Sequence, residues 1–189
     1  RVGMAGDPEV LRSAGFPHSG VEVAIDGTGP TGEVLVRGPQ VMAGYWPDLT
    51  PPADGWLRTG DIGRLDAAGR LWIVDRAKDV IITGGENVSS REVEDALSTH
   101  PDVDSVAVVG VPDEYWGEAI CAVVVPRAGA TPSPEALESH VRERVSAFKR
   151  PRHVLFVDEL PLTGNGKNDK LRVREFARRA VTGADVTAD

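Results

Sequence analysis

Residues 75–94 read Asp75-Arg76-Ala77-Lys78-Asp79-Val80-Ile81-Ile82-Thr83-Gly84-Gly85-Glu86-Asn87-Val88-Ser89-Ser90-Arg91-Glu92-Val93-Glu94. A charged cluster (Asp75, Arg76, Lys78, Asp79) precedes a short β-type run, Val80 to Ile82. The diglycine Gly84-Gly85 marks a turn, and a helix starts after it. Ser89 and Glu92 have the spacing of a capping box, in which each satisfies the other's free backbone donor. Val93, Ala96 and Leu97 follow at i, i+3 and i+4, one apolar helix face. The stretch is therefore strand, glycine turn and capped helix. Glycines at such a turn let backbone N–H groups come close to a ligand.

A chain of 189 residues is long enough for one domain or two small ones with a real core. With 41% hydrophobic and 26% charged residues, the composition is that of a globular protein. No apolar run reaches the roughly 20 residues of a membrane-spanning helix. No signal peptide is legible, and the single cysteine, Cys121, excludes a disulfide framework. The expected location is the cytoplasm. The chain opens on Arg1 in loop-like sequence, so a piece of a longer protein is expected.

Net charge is −8, yet the basic residues cluster. Arg142, Arg144, Lys149, Arg150 and Arg152 form one group; Lys167, Lys170, Arg172, Arg174, Arg178 and Arg179 form another. An acidic chain with a basic C-terminal third points to a local polyanionic ligand rather than to nucleic acid. Solvated helix faces would produce the same pattern.

Val21, Val23 and Ile25 alternate, Asp26-Gly27 is a turn signal, and residues 32–36 give a second strand. Residues 63–75 read as a hairpin about Ala67-Ala68-Gly69. Val103 to Val111 and Ala119 to Val125 are nearly continuous apolar runs, expected as buried strands. Ser133 as N-cap and Pro134 at the first helical position begin another helix, with Leu137, Val141, Val145 and Phe148 along one side. His153 to Val157 is a third strand. The fold class is α+β: a small β-rich subdomain over residues 1–75, a compact domain with a small sheet flanked by helices over 76–180, and a frayed tail over 181–189.

Three segments carry a resemblance to one family. The first is the opening stretch. The second is Gly55-Trp56-Leu57-Arg58-Thr59-Gly60-Asp61; by itself Asp61 reads as a turn aspartate, although a carboxylate there also suits a ribose diol. The third is Glu159-Leu160-Pro161-Leu162-Thr163-Gly164-Asn165-Gly166-Lys167. It is not a P-loop, because Pro161 stands where glycine is required and Asn168 replaces Ser or Thr. Together they resemble the adenylate-forming enzymes, a superfamily of acyl-CoA synthetases, adenylation domains of nonribosomal peptide synthetases and luciferases. Residues 32–46 resemble the end of that family's β-barrel subdomain, a strand, a turn and an aromatic plug at Tyr45-Trp46.

The resemblance implies an ATP-dependent acid–thiol ligase that makes an acyl-AMP and passes the acyl group to CoA. Asp61 would grip the ATP ribose and Arg76 would reach the nucleotide. Lys78 would be the hinge, Gly84, Gly85 and Glu86 would line the thiol path, and Lys167 would be the adenylation lysine. Ser146-Ala147-Phe148-Lys149-Arg150-Pro151-Arg152 resembles a segment beside the CoA nucleotide, which makes Lys149 and Arg150 candidate phosphate contacts. ATP/AMP, Mg2+ and CoA are the implied cofactors. Mg2+ and the carboxylic-acid substrate are expected to be held upstream, and this piece alone is expected not to adenylate. Two departures bear on the subclass: Asn168-Asp169 follows the lysine where acyl-CoA synthetases carry apolar residues, and Ser90 replaces a common proline. A carrier-protein acceptor, or a stand-alone CoA- or carrier-binding module, are the alternatives.

Overall fold

The computed structural model describes residues 10–44, 46–47, 50–52 and 54–183. The chain divides into two compact units, Arg1–Lys78 and Asp79–Asp189.

In the first unit four strands form an antiparallel meander: β1 (Glu22–Asp26), β2 (Gly32–Arg37), β3 (Leu57–Leu65) and β4 (Leu71–Arg76). The β3–β4 turn is built on Asp66. Its carboxylate accepts from the Ala68 and Arg70 amides, from Arg70 Nε and from Trp72 Nε1. These donors, the indole N–H foremost, hold the Asp66 carboxyl far below the usual carboxylate range. The register slips between Ile62 and Gly63. Gly63 allows that slip, since a Cβ there would lie 2.7 Å from the Trp72 carbonyl. Val34 is the buried apolar centre of this unit. Trp46, expected as an aromatic plug, is 85% exposed in this chain. Tyr45, residues 1–9 and parts of the 47–55 loop lie outside the described residues.

In the second unit β5 (Ile81–Thr83) and β6 (Glu86–Val88) form a hairpin, followed by α1 (Ser90–Ser98). Then come β7 (Val103–Asp113), β8 (Gly117–Pro126), α2 (Pro134–Arg142), β9 (His153–Phe156) and α3 (Lys170–Thr182). β7 and β8 are antiparallel, and β9 runs parallel to β8. α1 and α2 cover one face, with Leu97, Ile120, Leu137 and Val141 fully buried between them and the sheet. α3 covers the other, burying Val109, Cys121, Val123, Val173 and Ala177. Burial on both faces explains why β7 and β8 read as continuous Val-rich runs rather than alternating ones. A truncation such as Leu97→Ala costs about 2–5 kcal/mol in a core of this kind.

Three expectations need correction here. The glycine turn joins two strands rather than a strand and a helix; β6 is too short to show periodicity. α2 ends at Arg142, so Phe148 does not continue its apolar side and is 50% exposed. α3 runs through Thr182, closed by Gly183 in the left-handed region, with Val181 packed on the core. The frayed tail therefore does not begin at Val181, and residues 184–189 lie outside the described residues.

Candidate functional site

In the first unit the structure brings Asp61 and Arg76 together. They are register partners across β3 and β4, and Arg76 Nε lies 2.7 Å from Asp61 Oδ1. The Asp61 backbone is fixed as well. Its amide donates to Thr59 Oγ1, whose hydroxyl in turn donates to the Val34 carbonyl. Gly60 takes a positive φ of 71° and donates its N–H to Glu33 Oε1. The Arg76 side chain is 58% exposed, so both the guanidinium and the carboxylate remain within reach of a polar ligand. Asp75, next to Arg76, is buried and accepts the Arg76 amide through Oδ1. Lys78 is exposed on a one-turn 3-10 helix, Ala77–Asp79, and is the last residue of the first unit.

In the second unit Gly84 and Gly85 are the tip of the β5–β6 hairpin, with φ of 59° and 82°. Two successive left-handed residues give the turn a twist that matches the strands it joins. Gly84 donates to the Trp116 carbonyl, and a Cβ on Gly84 would lie 2.7 Å from the Trp116 ring. Glu86, paired with Thr83, is exposed at the base of the turn. Glu118 steadies the same hairpin by accepting the Ile82 amide at 2.8 Å. The Arg152 guanidinium lies 4.3 Å from the centre of the Trp116 ring. Trp116, Glu118 and Arg152 were not singled out as site residues from the sequence. Arg152 stands in the basic segment 146–152, and Trp116 lies in the acidic and aromatic stretch Pro112–Gly117 between the two apolar runs.

Lys167 sits on a turn closed on itself. Thr163 N–H donates to the Lys167 carbonyl at 2.7 Å, and Gly166 N–H donates to the Thr163 carbonyl. Gly166 has φ of 74°. The Lys167 side chain is exposed, and among the described residues its ammonium makes no hydrogen bond or ion pair. The other lysines of this unit are engaged: Lys149 with Glu92, and Lys170 with Glu94 and Ser90.

Lys149 and Arg150, the candidate phosphate contacts, each meet a carboxylate. Lys149 Nζ donates to both Glu92 oxygens at 2.8 and 2.7 Å, and Arg150 donates to Glu138. The two pairs tie the one-turn helix Ala147–Lys149 to α1 and α2. Both cations are already balanced by a carboxylate. The free Cys121 thiol is buried, which pushes it up to about 12 and leaves it chemically inert. Among the described residues no three His, Cys, Asp or Glu side chains gather as a metal site. No described helix is long and apolar enough to cross a membrane.

Residues 92–167 match the family model of the AMP-binding enzyme C-terminal domain. The chain is 49% identical over 168 residues to the medium/long-chain-fatty-acid–CoA ligase FadD8 of Mycobacterium tuberculosis, covering 81% of this chain and 29% of that protein. It is 45% identical over 172 residues to indoleacetate–CoA ligase of Aromatoleum aromaticum, covering 86% and 34%. A solved structure of amide bond synthetase McbA from Marinactinospora thermotolerans matches 89% of this chain and 36% of that one, with a TM-score of 0.79 and 46% identity. The chain belongs to the adenylate-forming superfamily of AMP-binding enzymes, and it spans about a third of the length of the curated relatives it matches.

Proposed function

We propose that this chain is the C-terminal part of an ATP-dependent acid–thiol ligase. In the first half-reaction a carboxylate oxygen of the acid attacks the α-phosphorus of ATP. The bond from that phosphorus to the bridging oxygen breaks, and pyrophosphate leaves. In the second, the sulfur of CoA attacks the acyl carbon of the acyl-AMP, and AMP leaves. Asp61 accepts hydrogen bonds from the ribose hydroxyls, with Arg76 beside it to contact the nucleotide. Lys167 meets the negative charge that builds on the α-phosphoryl group and the departing pyrophosphate. Lys78 is the hinge between the two steps, and Gly84, Gly85 and Glu86 line the approach of the thiol.

The observation that carries this reading is the state of Lys167. It is the lysine of its unit that is left uncompensated, and it stands on a turn whose own backbone bonds fix its shape. A cation held this way is ready for an anion that arrives during reaction. With Lys149 and Arg150 taken by carboxylates, the cation beside the glycine turn is Arg152, stacked on Trp116. The acid pocket and any Mg2+ site belong elsewhere in the whole protein, which we place in the cytoplasm, and this chain alone releases no pyrophosphate.

Lys167→Ala in the whole protein tests the assignment. Acid-dependent pyrophosphate release should fall at least about a hundredfold, the scale of a lost charge-stabilising group. Thioester formation from a preformed acyl-adenylate should persist. Equal loss of both steps would refute the role given to Lys167. CoA is the acceptor proposed; the 46% identity to an amide bond synthetase makes an amine the second acceptor to assay, and a pantetheine-bearing carrier protein the third.

A further inference from the structure

The turn that carries Lys167 is closed by its own backbone hydrogen bonds, so its aim is set where it joins the domain. That junction is formed by three consecutive residues. Asn168 Nδ2 donates to the Val106 carbonyl on the outer edge of β7 at 3.4 Å. Asp169 donates its amide to the Pro161 carbonyl, and its carboxylate caps α3 by accepting the Arg172 amide. Lys170, the first residue of α3, extends its ammonium to α1, where it lies 2.9 Å from Glu94 Oε1 and donates to Ser90 Oγ at 2.5 Å. Glu94 Oε1 also accepts the Val108 amide at 2.8 Å, so the same carboxylate closes the open edge of β7. Ser90 is fully buried, and the Lys170 and Glu94 side chains are only 20% and 19% exposed.

We infer that Lys170, with Glu94 and Ser90, is the positioning group of the Lys167 turn. α3 packs on one face of the sheet and α1 on the other; the Lys170 side chain joins them around the β7 edge. α1 begins just after the glycine hairpin, so the same contact fixes the lysine turn to the element that carries the glycine turn. Both departures from the family pattern lie in this junction: Ser90 supplies a hydroxyl where a proline has none, and Asn168 supplies the amide that reaches Val106. A partly buried ion pair of this geometry holds its partners in place more than it stabilises the fold, since desolvation offsets much of the attraction. Positioning is what the lysine turn needs, because a displacement of about 1 Å at a reacting group can cost about a hundredfold in rate.

The test uses Lys170→Met, Lys170→Arg and Glu94→Gln in the whole protein, and its kinetic arm rests on the ligase reading above. Amide hydrogen exchange over residues 162–169 is measured beside pyrophosphate release with decanoate and indole-3-acetate as probe acids. Lys170→Met should speed exchange in that segment about tenfold. It should lower kcat for pyrophosphate release about tenfold while KM for ATP stays within about twofold. Lys170→Arg should restore both. Glu94→Gln keeps an acceptor for Val108 and removes the charge, and should move both readouts in the same direction as Lys170→Met. Unchanged exchange in Lys170→Met, no recovery in Lys170→Arg, or a loosened turn with undiminished turnover would each overturn the proposal. If the wild-type protein releases no pyrophosphate with any acid, the ligase reading falls, and the exchange data alone decide whether Lys170 anchors the turn.

Discussion

Arg76 Nε stands 2.7 Å from Asp61 Oδ1, and the two residues face each other across β3 and β4 although fifteen positions separate them. With the Arg76 side chain 58% exposed, the pair contributes only about 0–1 kcal/mol to stability. The nucleotide-binding role proposed for the pair can therefore be tested apart from stability. Asp61→Asn in the whole protein should raise KM for ATP at least about tenfold, the cost of a lost hydrogen bond to a charged acceptor. Thermal unfolding of the variant should be close to wild type. A large drop in melting temperature with unchanged KM would make Asp61 a structural residue.

Gly84 and Gly85 should respond unequally to alanine. At Gly85, with φ of 82° and open space around it, the penalty is the left-handed backbone alone, about 1 kcal/mol. At Gly84 the new methyl also meets the Trp116 ring at 2.7 Å. Urea unfolding followed at the Trp116 indole should show Gly84→Ala as the more destabilised, by a further 1 kcal/mol or roughly that. Equal effects would mean that the Trp116 ring is not seated against the turn.

The Lys149–Glu92 pair sets a structural role against a phosphate-binding one. Lys149 is 19% exposed and donates to both carboxylate oxygens. A double-mutant cycle with Lys149→Met and Glu92→Gln should give a coupling of about 1 kcal/mol in stability. KM for CoA should change little in Lys149→Met. A strong rise in that KM, with no coupling to Glu92, would return Lys149 to the ligand site.

His140 predicts an acid limb in stability. Burial foremost, then the nearby charge of Arg144 and the His100 ring 4.9 Å away, hold its imidazole below the usual value of 6.5. Its Nε2 lies 2.8 Å from Thr99 Oγ1. A histidine whose folded pKa is depressed takes up its proton more readily when unfolded. Its contribution is therefore complete above 6.5 and is lost as pH falls through that value toward the lower folded one. Melting temperature should drop over this interval, and His140→Gln should flatten the drop. An unchanged profile in His140→Gln would place the acid limb on other groups.

Local features were legible in the sequence. The Ser89 cap accepts the Glu92 amide, Val93, Ala96 and Leu97 form the buried face of α1, and Ser133 with Pro134 starts α2. Each depends on residues within about one helical turn of one another, where spacing alone dictates geometry. Thr59-Gly60-Asp61 and the Lys167 turn were also visible, because glycine placement marks backbone that other residues avoid.

What the sequence alone determined was thus most of the elements and their order, though not the short strand β6, and a short set of residues worth testing. Which of those residues are available for a ligand was decided only by tertiary contacts. Lys149, Lys167 and Lys170 look alike in the chain; folding places Glu92 against the first and Glu94 with Ser90 against the third. Those partners lie 57 to 80 positions away, so no local spacing announces them. The physical reason is that a lysine's charge is balanced by whatever carboxylate the sheet and helices bring within about 3–4 Å, and that neighbour is chosen by packing rather than by sequence distance.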